Sequence, residues 1–268
     1  MATASTTTAS SPPRFADVLK EWRGLRGLSQ LQLAGMSEVS QRHLSFLETG
    51  RSKPSREMVT HLARALRVDP REHNRMLLSA GFAPRYSEAA SGELGDVDEA
   101  IEFLLRAHEP NMAIVIDRHW NLVSANAPAL HLTSLLPDPP PLFEGELNVM
   151  WLMFHPDGFR RYVTNFAEVA PTLLWRVHDD LERTPADETL RRLASGLADL
   201  AEGAYDPAIM PAHAGLVATV DFDIDGTELR FFTCIASLEG ANDVTVAELR
   251  IETFFPADEA SRAAWAVF

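Results

Sequence analysis

The sequence contains a single cysteine, Cys234, among 268 residues. One cysteine excludes an intrachain disulfide framework and a cysteine-based metal site, which fits the reducing cytoplasm. The chain also lacks an uninterrupted run of the roughly 18 apolar residues that a transmembrane helix needs. Residues 1–13 have neither the basic start nor the apolar stretch of a secretory signal, and they predict a disordered leader. We therefore expect a soluble cytoplasmic protein with no membrane partner.

Catalytic and metal-binding patterns are missing as well. The nine histidines form no His-Glu-x-x-His pair, and no phosphate-binding glycine loop or nucleophile elbow is present. Residues 221–226 begin like a calcium loop, but Phe232 stands where that loop needs a glutamate, so Asp225-Gly226 predicts a hairpin instead. Cys234 occupies a strand position and is expected to be a small buried side chain. We expect no enzyme activity, no metal and no cofactor.

The net charge of −14 hides two unlike parts. Residues 1–86 contain 13 Lys and Arg against 7 Asp and Glu, a balance of +6, whereas residues 87–268 contain 11 against 31, a balance of −20. Because phosphate binding depends on a local basic face, a +6 module on a −20 body is compatible with DNA.

Residues 14–86 predict an all-α domain of five short helices. An apolar stripe marks the first helix, Ser29 and Ser40 are suited to cap the second and third, and Pro54-Ser55 and Asp69-Pro70 open the fourth and fifth. The small, polar residues 87–95 predict a linker.

Residues 96–268 predict an α+β domain. The expected elements are a helix over 97–107, strands over 112–116 and 120–124, helices over 147–203, and strands over 216–222, 229–235 and 244–254. This order favours an antiparallel sheet of about five strands with helices on one side. PAS-like domains have this layout, although the pattern alone does not single them out.

The stretch Leu28–Gly50 carries the most specific chemistry. Two helices joined by the turn 37–39 present the second helix to a DNA major groove with its N-terminus first. Its tip offers Gln41, Arg42 and His43, with Ser45 one turn further on, and arginine and glutamine suit guanine and adenine edges.

Residues 15–80 resemble the Xre/Cro/repressor helix-turn-helix family. The matching elements are Leu28-Ser29-Gln30, Leu33-Ala34, Glu38-Val39-Ser40, Leu44-Ser45, Leu47-Glu48-Thr49-Gly50-Arg51 and Pro54-Ser55. The resemblance implies that Gln30 and Ser40 contact phosphate and that Gln41 and Arg42 contact bases. It further implies backbone contacts from Arg51, Lys53 and Ser55, and a structural ion pair between Arg23 and Glu48. Glu38 replaces the usual glycine, which suggests a strained turn.

The chain also resembles, in scattered blocks, the subgroup whose second half is an MmyB-like ligand-binding domain. The blocks include His108-Glu-Pro110, Ile114-Val-Ile-Asp117, Trp120–Asn126, Phe154-His-Pro-Asp-Gly158, Val163-Thr-Asn165 and Leu249–Pro256. The resemblance implies a PAS-like sensory fold with a pocket between helices and sheet for a hydrophobic molecule such as a fatty acid.

Large apolar side chains are candidates for the wall of that pocket, although they also fit an ordinary helix-on-sheet core. They are Trp151, Phe154, Phe159, Tyr162, Phe166, Leu173 and Phe231. Arg160, Arg161 and Arg176 could neutralise an acidic head group or lie as charges on the surface.

The sequence thus predicts a bacterial transcription regulator that binds a double-stranded operator as a homodimer and senses a hydrophobic effector. In the alternative interpretation, the C-terminal domain binds a partner enzyme and has no small-molecule ligand.

Overall fold

The computed structural model describes residues 13–88, 95–201, 219–237 and 243–267. The chain divides into two compact units, residues 1–87 and 88–268. All of the predicted leader except Pro13, and residues 89–94 of the predicted linker, lie outside the described residues. Within the described ranges, no helix is long and apolar enough to span a membrane.

The described part of the first unit contains five α-helices. They are α1 (Phe15–Leu25), α2 (Gln30–Met36), α3 (Gln41–Glu48), α4 (Arg56–Ala65) and α5 (Pro70–Ser79). Ser29, Ser40, Ser55 and Asp69 each accept a hydrogen bond from the backbone N–H three residues later. These bonds satisfy donors that a helix start leaves unpaired, and they confirm the caps predicted at Ser29 and Ser40.

The core of this unit forms where α1 packs against α3 and α5. Leu19 and Trp22 of α1 are fully buried, as are Leu44 and Leu47 on one face of α3. Burying these α3 residues directs the opposite face of the same helix outward.

The second unit is an α+β domain with one five-stranded antiparallel sheet, as predicted. Its elements are α6 (Asp96–Ala107), β1 (Ala113–Ile116), β2 (Leu122–Ala125), α7 (Ala127–Thr133), α8 (Val149–Phe154), a 3-10 turn (Phe159–Arg161), α9 (Phe166–Arg183), α10 (Glu188–Leu200), β3 (Thr219–Ile224), β4 (Thr227–Ser237), α11 (Val244–Glu248), β5 (Arg250–Pro256) and α12 (Glu259–Trp265). The strand order is β2-β1-β5-β4-β3, which places β5 in the centre. Asp225 and Gly226 both have positive φ and form the predicted hairpin between β3 and β4.

Helices cover both faces of the sheet, so the expectation of helices on one side is wrong. Ile114 and Ile116 of β1 face the large core formed with α7, α8, α9 and α10. The alternate residues Ala113 and Val115 face Ile101 on α6, on the opposite side. The short apolar β1 is buried on both faces, and its uninterrupted hydrophobic run was the signal for this arrangement.

Three further expectations about the second unit need correction. The predicted strand over 244–254 begins instead with α11, because the side chain of Asp243 caps the backbone N–H groups of Thr245 and Val246. Trp120 lies in the turn before β2 with φ +68° rather than in the strand. Cys234 is exposed, because it lies on the sheet face opposite to the buried Phe231. The expected start of β3 at residues 216–218 lies outside the described residues.

Candidate nucleic-acid interface and internal cavity

A tight turn between α2 and α3 sets the direction of the second helix. The buried Ser37 hydroxyl donates to the Leu33 carbonyl at 2.6 Å, and the Val39 N–H donates to the Ala34 carbonyl at 3.0 Å. Glu38 has φ +50°, a left-handed conformation that favours glycine. Glu38, which stands where glycine is usual, therefore occupies a strained backbone position.

The exposed tip of α3 consists of its first two residues. Gln41 and Arg42 are exposed, whereas His43 and Ser45 are partly buried. The Arg42 guanidinium carbon lies 5.4 Å from the centre of the Phe46 ring, one turn further along the helix. This cation–π contact limits the conformations of Arg42 without using its hydrogen-bond donors.

Three more residues assigned to phosphate contacts lie in the segment that leads from α3 to α4. Arg51, Lys53 and Ser55 are exposed, and within the described part of the chain neither Arg51 nor Lys53 forms an ion pair. The Ser55 oxygen accepts from the Met58 N–H, and the Ser40 oxygen accepts from the His43 N–H. The Ser40 hydroxyl proton remains able to donate to a phosphate oxygen, whereas the Ser55 hydroxyl already hydrogen-bonds the Glu57 side chain.

Gln30 has a structural partner in addition to any phosphate. Its side-chain amide donates to Glu48 Oε2 at 2.8 Å, so only its second amide proton can reach a nucleic acid. Glu48 also accepts from Arg23 Nε at 2.6 Å and Nη2 at 3.1 Å. This carboxylate joins α1, α2 and α3, and its side chain is only 3 % exposed.

The second unit contains a cavity of about 110 Å³ between the sheet and helices α7, α8 and α9. Its wall is almost entirely apolar and includes three methionines, Met112, Met150 and Met153. Methionine side chains are flexible and adapt to irregular shapes. A cavity of this composition is suited to an apolar molecule rather than to water.

Five polar side chains interrupt the apolar wall: Thr133 of α7, Thr172 and Arg176 of α9, Thr233 of β4 and Glu252 of β5. Arg176 Nη1 lies 3.6 Å from Glu252 Oε1. Burial raises the pKa of the Glu252 carboxyl, and the charge of Arg176 with the Thr233 hydrogen bond offsets part of that effect. The side chain of Glu252 is 10 % exposed and that of Arg176 is 27 % exposed, so the carboxylate lies in a largely water-excluded part of the domain.

The structure places two of the seven candidate pocket residues, Phe159 and Leu173, on the cavity wall. The other five lie elsewhere in the domain. The rings of Phe154 and Phe166 pack edge-to-face with their centroids 5.2 Å apart, and those of Phe231 and Trp265 do so with their centroids 5.3 Å apart. The Tyr162 hydroxyl donates to the Leu135 carbonyl at 3.1 Å, and Trp151 packs between Phe143 and His155. Through these contacts the five side chains pack within the core of the domain instead of lining the cavity.

Of the three candidate arginines, only Arg176 borders the cavity. Arg160 stacks 3.8 Å above the Phe166 ring, and Arg161 pairs with Asp157 at 3.1 Å. Sequence reasoning missed Glu252 and Thr172. Glu252 could have been noticed, because it is a carboxylate at the centre of the apolar segment that forms β5.

A second polar cluster lies beneath the turn between β1 and β2. Asp187 accepts from Arg118, from His119 Nε2 at 2.9 Å and from the Leu190 N–H at 3.0 Å. Burial alone would raise the pKa of the Asp187 carboxyl, but these hydrogen bonds and the charges of His119 and Arg118 lower it strongly. The cluster fastens this turn to the start of α10. No group of residues in the described ranges could hold a metal ion.

Two family models match the chain. The model described as "MmyB-like transcription regulator ligand binding domain" matches residues 97–266, and a helix-turn-helix model matches residues 19–73. A search of curated proteins finds no match. The two matched regions correspond to the unit that contains the cavity and to the unit that carries α3.

Proposed function

The chain belongs to the MmyB-like helix-turn-helix transcription regulators, and we propose that α3 contacts an operator while the cavity binds a hydrophobic effector. Gln41 and Arg42 contact the bases, and Ser40, Arg51, Lys53 and Ser55 hold the phosphate backbone. The effector is a small hydrophobic molecule with an apolar chain. The observation that carries the proposal is the presence of an exposed recognition tip in one unit and an apolar cavity in the other.

The arrangement of α3 supports a role in sequence readout. A major groove is wide enough for one helix, and residues at the helix N-terminus reach the base edges first. Gln41 and Arg42 occupy that end, outside the buried face formed by Leu44 and Leu47. Cationic residues without carboxylate partners in the described chain, Arg51 and Lys53, lie just beyond α3. They supply the electrostatic affinity that base contacts alone lack.

The operator test uses the full chain and a site selected from a random duplex library. Arg42→Ala should weaken binding by about 1–3 kcal/mol and relax the preference at one base position. Lys53→Ala should weaken binding to all sequences alike and reduce its salt dependence. Arg106→Ala removes the same charge from α6 of the other unit and serves as the control. If Arg42→Ala and Gln41→Ala both leave the operator affinity unchanged, α3 is not the helix that contacts the bases.

The cavity supports the sensing role through its composition. An apolar cavity of 150 Å³ is able to bind benzene, so the present cavity of about 110 Å³ suits a small apolar group. A longer alkyl chain fits once the surrounding methionines move. Burial of each additional methylene group adds about 0.8 kcal/mol to its affinity.

We propose that the regulator acts as a homodimer. One short helix contacts too few base pairs for useful specificity, and two copies of α3 on a palindromic site double the sequence that is recognised. Effector binding then alters operator affinity by favouring one arrangement of the two DNA-binding units.

Native mass spectrometry of the full chain, purified from its own host, tests the sensing role. Ala129 lies on the cavity wall, and the variant Ala129→Phe fills the cavity. A co-purified small molecule that is lost in this variant supports the sensing role. A stoichiometric protein partner with no small molecule would favour the interaction function instead.

A further inference from the structure

The hydroxyl of Thr172 has no hydrogen-bond partner in the described structure, although its oxygen is buried. The residue is 5 % exposed and lies on the cavity wall. A threonine in a helix can often bond the carbonyl one turn earlier, but Thr172 does not. A buried hydroxyl without a partner is unfavourable. Its position on the cavity wall indicates that the partner is a bound molecule.

Thr172 and Arg176 are four residues apart on α9 and therefore lie on the same helix face. Arg176 is paired with Glu252, which projects from the central strand of the sheet. The unpartnered hydroxyl, a guanidinium and a carboxylate thus border one cavity. We call these three residues the polar end of the cavity.

The charges at the polar end are already balanced. Arg176 is the only arginine or lysine that lines the described cavity. Burial raises the pKa of the Glu252 carboxyl, but the Arg176 charge 3.6 Å away favours its ionised form, in which the two charges cancel. A ligand carboxylate would place a second negative charge beside Glu252 in a water-excluded site, which is unfavourable. A ligand ammonium group would place a second positive charge beside Arg176, which is equally unfavourable. An uncharged head group is repelled by neither Glu252 nor Arg176.

We propose that the effector is an amphiphile with an uncharged head group that both donates and accepts hydrogen bonds, such as an alcohol or a primary amide. Its oxygen accepts from the Thr172 hydroxyl, and its O–H or N–H donates to the Glu252 carboxylate. Arg176 holds Glu252 in place. This inference rests on the proposed sensing role of the cavity and identifies the chemical class of its ligand.

The test compares four probes with the same chain length: octanol, octanamide, octanoate and octylamine. Their binding to the full chain is measured by calorimetry at about pH 8, where octanoate is ionised. Octanol and octanamide should bind at least about tenfold more tightly than octanoate or octylamine. Glu252→Gln should bring octanoate to within about threefold of octanol, because the like charge is removed.

Thr172→Val keeps the side-chain shape and removes the hydroxyl. It should weaken octanol binding about fivefold and leave the binding of chlorooctane unchanged, because chlorooctane has no strong acceptor for the Thr172 hydroxyl. Thr133→Val is the matched control, because Thr133 also lines the cavity but its hydroxyl already donates to the Leu130 carbonyl at 2.7 Å. Thr133→Val should leave all affinities unchanged.

The outcomes separate this inference from the proposed function. If octanoate binds wild type as tightly as octanol does, or if Thr172→Val has no more effect than Thr133→Val, the head-group assignment is wrong while the cavity remains a ligand site. If none of the probes, including chlorooctane, binds, the sensing role of the cavity is overturned together with this inference.

Discussion

Replacing Glu48 by glutamine should destabilise the first unit strongly. Glu48 is 3 % exposed and accepts two hydrogen bonds from Arg23 and one from Gln30. Glu48→Gln preserves the shape but removes the charge that neutralises Arg23, whose side chain is only 17 % exposed. Removing one partner of a buried ion pair costs about 3–5 kcal/mol. Arg23 keeps its hydrogen bond to the Leu28 carbonyl at 2.7 Å, so we expect a loss near the lower limit, about 3 kcal/mol.

Amide hydrogen exchange of the full chain, read by mass spectrometry, measures this loss in α1 and α3 separately from the second unit. The control is Asp17→Asn, which removes an exposed ion pair with Arg14 and should change the opening free energy by less than about 0.5 kcal/mol. The double variant Arg23→Met, Glu48→Leu should be more stable than Glu48→Gln, because apolar groups replace both buried charges. If Glu48→Gln costs no more than Asp17→Asn, the ion pair does not hold these helices together.

Three further predictions concern single side chains. Glu38→Gly should stabilise α2 and α3 by about 0.5–1 kcal/mol in hydrogen exchange, because glycine relieves the positive φ, whereas Glu38→Ala should not. Thr172→Val should raise the unfolding free energy of the ligand-free chain by about 1 kcal/mol, because it removes an unsatisfied hydroxyl; no gain would mean that the hydroxyl has a partner. Asp187→Asn should lower the unfolding free energy by about 3 kcal/mol at about pH 7. Because the folded pKa of Asp187 lies below its unfolded value of about 3.9, this difference should shrink as the pH falls below that value, and a pH-independent difference would contradict the assigned charge.

The DNA-binding unit could be predicted from the sequence because its signals are local. Each capping residue acts on a backbone group three residues away, and the turn at Glu38 follows from its immediate neighbours. Arg23 and Glu48 are distant in sequence, and only the family resemblance related them. The tip residues Gln41 and Arg42 were expected and are exposed, but their contacts with DNA stay a prediction.

The cavity wall could not be predicted in the same way, because it depends on how each helix is rotated against the sheet. Aromatic residues such as Phe154 and Phe231 pack against other core aromatic rings as readily as they would line a ligand cavity. The polar end joins α9 to β5, and no local pattern relates these two segments. The helical start of residues 244–248 was missed because the alternating valines Val244 and Val246 match the period of a strand, whereas the Asp243 cap directs these residues into a helix.

The most direct test of the account is whether occupancy of the cavity and binding of the operator affect each other. The affinity of the full chain for its selected operator is measured with and without saturating octanol, and the octanol affinity is measured with and without operator. The account predicts that both affinities change by the same factor, about 5-fold or more, because coupling between two sites is reciprocal. Two affinities that are both unchanged, although octanol binds and the operator binds, would contradict a regulator that is controlled through its cavity.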